Sequence, residues 1–127
     1  RADEIIEKKI RLALKYDEVL SLLPVELHKP RKLDIKHTYW MYAILVPENQ
    51  RDAIMLSLKN DGVETRPVFY PIHAMPMYLT PGEHHDNAEE LSRRGILLPS
   101  WPDLDDSRLT HIAACLAKAL AASARSV

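Results

Sequence analysis

The sequence has few of the residues that usually indicate a specific chemistry. It contains one cysteine and three glycines, and its seventeen basic side chains are balanced by eighteen acidic ones. Cys115 has no partner for an internal disulfide and suits a reducing cytoplasm, so we expect a cytoplasmic protein with a buried, unreactive thiol. The net charge of -1 removes the usual reason to expect a nucleic-acid or anionic-membrane partner.

Long hydrophobic runs are also missing. No apolar segment approaches the roughly 20 residues that a membrane-spanning helix requires, and no signal peptide is visible. The scarcity of glycine leaves no Gly-rich phosphate-binding loop. The chain begins at Arg1, inside a helical pattern and without a helix cap, so we expect it to be cut from a longer protein.

The clearest patterns are an opening helix and a strand. Apolar residues follow one stripe through Asp3–Leu23 at helical spacing, and Pro24 ends the pattern. A charged loop is expected over residues 28–36. His37–Val46 is aromatic and β-branched and is apolar on both alternating faces, which predicts a central strand covered on two sides.

The rest of the chain alternates between helices and strands. We first predict a short helix that ends at Gly62, a strand over Val63–Tyr70 with Pro67 at an edge or bulge, and a proline-rich loop over Pro71–Glu83. A second helix is then expected, opened by an Asp86/Glu89 capping box and closed by Gly95. The chain ends with a strand over Ile96–Leu98 and a last helix from Asp105 or Asp106 to about Ala121. This order predicts an α+β fold of two layers, in which a small antiparallel or mixed sheet carries flanking helices.

Three residues near the proline-rich loop are candidates for binding. Arg66 lies among apolar neighbours, so it either pairs with a buried carboxylate or points into a cleft toward an anion. Tyr70 lies on a long loop, where a packing role and a surface role are about equally expected. His73 ends a rigid aromatic run, where it either donates to a phosphate or hydroxyl or only pins the loop backbone.

Other conspicuous residues are assigned structural roles. Trp40 and Tyr42 are expected in the hydrophobic core. His73, His84 and His85 share one loop, but their spacing matches no standard zinc pattern, so no metal site is predicted. No Ser-His-Asp or Cys-His arrangement has a recognisable local context. The residues alone therefore indicate a folded domain with one candidate binding loop.

Taken together, these segments resemble one enzyme family. Gly62–His73 reads GVETRPVFYPIH and resembles the G-I-x-T-x-x-x-[FY]-x-P-[LI]-H stretch of the DegT/DnrJ-type sugar aminotransferases. Similar family motifs are matched, in the same order, by residues 3–9, 37–42, 51–59, 87–92 and 97–104. The resemblance extends over nearly all of the chain.

The resemblance implies the C-terminal small domain of a fold-type-I, pyridoxal-phosphate-dependent transferase. Residues 1–127 would form one domain, with a connecting helix over 1–23 and an α/β core over 37–121. The parent enzyme would be a homodimer that replaces a keto group on a nucleotide-linked sugar with an amine from glutamate, in polysaccharide or antibiotic-sugar biosynthesis. Arg66, Tyr70 and His73 would contact substrate on one wall of its active site.

The resemblance also implies what this chain lacks. The lysine that forms the cofactor's Schiff base would lie in the large N-terminal domain, which is absent here. No catalytic, cofactor-binding or metal-binding residue is therefore assigned to this chain, and the isolated chain is expected to be inactive. Two alternatives remain: a free-standing, non-catalytic interaction or regulatory module derived from this domain, and a small hydrolase, for which no nucleophile is found.

Overall fold

The computed structural model describes residues 1–30, 32 and 34–126, so that Arg31 and Leu33 of the predicted charged loop lie outside the described residues. The fold is α+β, as the sequence predicts. Its elements are α1 (Ala2–Leu20), β1 (Glu26–Leu27), β2 (Tyr42–Leu45), α2 (Arg51–Asn60), β3 (Arg66–Pro67), a 3₁₀ turn (Ile72–Ala74), α3 (Asp86–Arg94), β4 (Gly95–Leu98) and α4 (Asp106–Arg125).

The four strands form an antiparallel sheet in the order β1-β2-β4-β3. The predicted central strand is β2, which lies between β1 and β4. The two-residue strand β1 falls just after Pro24, where the sequence predicted no strand, and it is recognisable only through its pairing with β2. Strand β3 lies at the sheet edge, as Pro67 predicted, because a proline has no N–H to donate to a further strand.

The hydrophobic core lies on one face of this sheet. Tyr42 and Ile44 of β2 point into a cluster of buried side chains supplied largely by α1, α2 and α4, whereas Ala43 and Leu45 on the other face are only partly buried. The predicted cover is therefore complete on the first face and only partial on the second. One contact that joins the helices to the sheet is the stacking of the Tyr16 and Tyr42 rings, whose centroids are 4.6 Å apart.

Trp40 is not a core residue, contrary to the prediction, since 70% of its surface is exposed. The reason lies in the preceding turn. Tyr39 adopts a left-handed conformation with φ of +47°, and its backbone N–H donates to His37 Nδ1 over 2.9 Å. Strand pairing therefore starts at Tyr42, and the alternation that would have placed Trp40 inside does not extend back to it.

The helix ends match the predicted caps in part. Asp105 Oδ1 accepts the Arg108 backbone N–H at 2.8 Å and caps α4, and Gly62 has a φ of +82°, as a left-handed position after α2 requires. The cap of α3 is His85 and not the predicted Asp86. Gly95 does end α3, but with an ordinary φ of −80°.

Candidate functional site

The structure divides the three predicted binding residues between two clefts. Arg66 lines a cleft of about 780 Å³ between α1, the edge of the sheet and the start of α4. Tyr70 and His73 line a separate, more apolar cleft of about 610 Å³ between the proline-rich loop and α3. We call the first the cationic cleft and the second the aromatic cleft. The three residues therefore do not form one site within this chain.

The cationic cleft takes its character from residues that are distant in sequence. Its charged and aromatic lining residues include Lys9, Trp40, Arg66, Trp101, Arg108 and His111. Arg66 is exposed on β3 and forms no ion pair within the part of the chain that the structure describes. Of the two alternatives for Arg66, the structure therefore favours a cleft position, while contact with a substrate stays a prediction.

Lys9 is a cleft residue that the sequence analysis missed. Its Nζ donates to the Ser100 carbonyl and lies 3.2 Å from Ser100 Oγ, which ties α1 to the segment after β4. Partial burial lowers the pKa of Lys9. The sequence signal that could have identified Lys9 is its position three residues after Ile6, beside the apolar stripe of α1. Such a spacing places a lysine next to the packed face of a helix.

The lysines of this chain do not fit a covalent pyridoxal phosphate site. The Lys9 ammonium is held by Ser100, and Lys8 and Lys118 are paired with Asp103 and Asp61. The other five lysines are exposed on the surface. No step of pyridoxal phosphate chemistry is therefore assigned to residues of this chain.

The aromatic cleft is held in shape by His73. Its Nε2 lies 3.0 Å from Glu89 Oε1 on α3, and its ring packs edge-on against His85 with centroids 4.6 Å apart. Glu89 Oε1 also accepts the His85 backbone N–H at 3.3 Å. The hydrogen bond from His73, followed by that from His85, lowers the pKa of Glu89. His73 thus pins the loop to α3, which was one of its two predicted roles.

Large apolar side chains are exposed around the aromatic cleft. Phe69 and Trp40 stack with ring centroids 6.3 Å apart, and each is more than half exposed. Further exposed residues of the same loop are Tyr70, Ile72, Met77, Tyr78 and Leu79. We call this set, with Trp40 and Phe69, the aromatic patch. Large exposed apolar side chains that cluster on one segment are typical of interaction sites in folded proteins.

Cys115 is buried in α4, as predicted. Burial is the main cause that raises the pKa of its thiol, and Asp61 adds to the effect. Its Sγ lies 3.5 Å from His111 Nε2, but a buried thiol with a raised pKa is a poor nucleophile. The pair is therefore not a catalytic arrangement.

Across residues 1–30, 32 and 34–126, no three His, Cys, Asp or Glu side chains are grouped so as to hold a metal ion. In the same described segments, no helix combines the length and the apolar character needed to cross a bilayer.

The sequence matches a family of known enzymes. The model of the DegT/DnrJ/EryC1/StrS aminotransferase family matches residues 1–117. GDP-perosamine synthase of Escherichia coli O157:H7 is 42% identical over 113 residues, which cover 88% of this chain and 30% of that protein. GDP-perosamine synthase of Vibrio cholerae is 37% identical over 121 residues, covering 91% of this chain and 33% of that protein.

Solved structures contain the same fold. The aminotransferase TlmJ from Streptoalloteichus hindustanus superposes with a TM-score of 0.87 at 25% identity, covering 96% of this chain and 33% of that one. S. venezuelae DesV superposes with a TM-score of 0.82 at 21% identity, covering 91% of this chain and 32% of that one. At this identity the likeness shows the fold alone. The chain thus spans about a third of the length of these proteins. Since the family model matches most of its residues, the chain belongs to the DegT/DnrJ/EryC1/StrS aminotransferase family.

Proposed function

We propose that the chain is the C-terminal small domain of a pyridoxal-phosphate-dependent aminotransferase that aminates a keto sugar nucleotide, with glutamate as the amino donor. The observation that carries this proposal is the match to two GDP-perosamine synthases over about nine-tenths of the chain, at 37–42% identity and a third of their length. The parent enzyme would be a cytoplasmic homodimer in polysaccharide or antibiotic-sugar biosynthesis. The large N-terminal domain would carry the cofactor, which supplies the electron sink when bound.

The aromatic cleft would form this domain's wall of the active site. The phenol of Tyr70 would hydrogen-bond to a sugar hydroxyl group, or its ring face would stack on the sugar ring. His73, held by Glu89, keeps the loop in a fixed position, and the surrounding apolar side chains would exclude water once the cleft is covered. Positioning and exclusion of water are the tasks left to a domain that supplies no covalent chemistry.

The aromatic patch favours this proposal over a free-standing regulatory module. A module that lived alone would carry polar side chains where the large domain docks in an intact enzyme. Here Phe69, Ile72 and Met77 remain 63%, 66% and 74% exposed. Such a surface fits a site that the large domain or the second subunit covers.

The first test is the size and activity of the native polypeptide. An antibody to this chain should detect a band of about three times its 14.5 kDa mass, given the 30–33% coverage of its relatives. The captured protein should transfer nitrogen from glutamate to a GDP-linked keto sugar, as followed by mass spectrometry. A native band at 14.5 kDa, with no activity alone or with a separate large subunit, would overturn the proposal.

The role of the aromatic cleft is tested in the same enzyme. His73→Ala should lower kcat/KM at least about tenfold, as the loss of a positioning contact does. His73→Gln keeps a hydrogen-bond donor and should recover part of the loss. Lys59→Ala, at an exposed position of α2, is the matched control. Unchanged kcat and KM in His73→Ala would show that this cleft does not face the substrate.

A further inference from the structure

The loop that follows β1 concentrates positive charge that the proposed function leaves without a role. Residues 28–37 read HKPRKLDIKH and hold four lysines and arginines and two histidines against a single aspartate, although the whole chain has a net charge of -1. We call this segment the basic loop. We infer that the basic loop and the adjoining face of α1 bind peripherally to a membrane surface rich in anionic lipid. This inference does not depend on the proposed transamination, because it uses none of the residues assigned to the substrate.

The lysines of the basic loop are available to an external anion. Lys29, Lys32 and Lys36 are exposed, and none of them forms an ion pair in the part of the chain that the structure describes. Lys118 on α4, by contrast, is paired with Asp61 at 2.9 Å. Ammonium groups without a paired carboxylate produce a local positive potential, even on a chain that is nearly neutral overall.

An apolar cleft of about 490 Å³ lies between the basic loop and α1. Lys29 and Lys36 line this cleft together with Leu14 of α1 and Ile35 of the loop. The Leu14 and Ile35 side chains are 58% and 54% exposed. Cations and exposed aliphatic side chains therefore share one face of the molecule.

Acidic groups do little to offset the charge of this face. Among the described residues that line the cleft, Asp17 is the one carboxylate, and its Oδ1 already accepts the Tyr42 hydroxyl at 2.6 Å. Asp34 is the one acidic residue in the sequence of the basic loop. The basic loop and the cleft together thus keep an excess of positive charge.

The combination of cations and aliphatic side chains fits the boundary of an anionic bilayer. Lysines are attracted there to the lipid phosphates, while aliphatic side chains enter between the acyl chains. Each basic side chain near such a surface strengthens binding about fivefold. A single-stranded nucleic acid fits this face less well, because it is held by stacking on aromatic rings, and the exposed apolar residues here, Leu14 and Ile35, are aliphatic.

Sedimentation with lipid vesicles tests the inference on the native polypeptide, whether that is the parent enzyme or the 127-residue chain alone. The polypeptide should bind vesicles of equal parts phosphatidylglycerol and phosphatidylcholine at least about tenfold more tightly than vesicles of phosphatidylcholine. Raising the salt concentration from about 0.1 M to about 0.5 M should weaken this binding at least about tenfold, because the Debye length shortens. Poly-glutamate should bind more weakly than the anionic vesicles, since it offers no acyl chains to Leu14 and Ile35.

Charge variants locate the docking surface. Replacing Lys29, Lys32 and Lys36 together by alanine should weaken binding to the anionic vesicles about a hundredfold, as three fivefold steps. The matched control removes three positive charges at exposed positions of α2 and α4, and its affinity should stay within about threefold of the wild type. It combines Lys59→Ala, Lys118→Ala and Arg125→Ala.

A second variant tests the apolar part of the surface. Leu14→Gln combined with Ile35→Gln leaves the charge unchanged and should weaken binding at least about tenfold, because both side chains lose their contact with the acyl chains. Circular dichroism checks that each variant is folded. If the triple lysine variant does not fold, Lys36→Ala alone replaces it, with an expected loss of about fivefold.

Four results would each overturn the inference. The first is binding to the anionic vesicles no tighter than to phosphatidylcholine, and the second is an equal loss of affinity in the lysine variant and its control. The third is wild-type affinity in the variant of Leu14 and Ile35. The fourth is tighter binding to poly-glutamate than to the vesicles, which would indicate an acidic protein as the partner. The transamination assay contains no lipid, so failure of one proposal is distinguishable from failure of the other.

Discussion

His73 Nε2 lies 3.0 Å from Glu89 Oε1, and this hydrogen bond ties the proline-rich loop to the first turn of α3. Glu89 also accepts the backbone N–H of His85, so one carboxylate holds both the loop and the start of the helix. Other titratable groups beside this pair, among the residues that the structure describes, include the side chains of Glu83, His84 and His85. The shape of the aromatic cleft therefore depends on the charge state of Glu89.

Replacing Glu89 should make the stability of the chain less dependent on pH in the acidic range. The pKa of Glu89 is lowered in the folded state, so its contribution is present above the ordinary glutamate pKa and is lost as the pH falls through the lowered value. We expect Glu89→Gln to have a lower Tm than the wild type at neutral pH, with the difference shrinking as the pH falls below the ordinary glutamate pKa and vanishing once the pH is below the lowered value. Thermal unfolding across pH measures this. Glu18→Gln, at an exposed site of α1, is the control, and a difference that is constant with pH would contradict the prediction.

Tyr42→Phe should destabilise the junction of α1 and the sheet. The buried Tyr42 hydroxyl donates to Asp17 Oδ1 over 2.6 Å, and a hydrogen bond to a charged group contributes about 2 kcal/mol. We expect a loss of that size in the free energy of unfolding, measured by urea denaturation. Tyr78→Phe, on the exposed loop, should change it by less than about 0.5 kcal/mol. Equal effects of the two substitutions would show that the Asp17 contact contributes nothing.

Gly95→Ala should be costly because of crowding at the start of β4. An added Cβ would lie 2.3 Å from Val68 Cγ2 and 2.4 Å from the Leu91 carbonyl oxygen. Overpacking of this kind costs about 1–3 kcal/mol, and the backbone carbonyl cannot easily move away. Gly82→Asn, in open space at a φ of +83°, is the control and should cost less. Urea denaturation of the two variants compares them, and a Gly95→Ala variant of wild-type stability would contradict the close contact.

Cys115 should react slowly in the folded chain. Its thiol is buried and burial raises its pKa, so little thiolate is present and reagents have poor access. We expect alkylation by iodoacetamide at least about tenfold slower in the native chain than in the chain unfolded by urea, followed by mass spectrometry. Similar rates in the two states would show that α4 exposes this residue.

Much of the fold was predictable because its signals are local. The apolar stripe of α1, the apolar run of β2 and the capping residues Asp105 and Gly62 each act within a few residues. The predictions failed where distant segments decide. Strand β1 forms because it pairs with the free edge of β2. Position 95 requires a glycine because the Val68 side chain lies where a Cβ would be.

The candidate residues show the same division. The sequence by itself determined the family and the exposed proline-rich loop. It also identified Arg66, Tyr70 and His73 as candidate binding residues. Only the tertiary structure decided that Arg66 belongs with Lys9 and Arg108, while His73 belongs with Glu89. The physical reason is that side-chain neighbours across a cleft come from elements brought together by burial of a shared core, and the spacing along the chain carries no record of that approach.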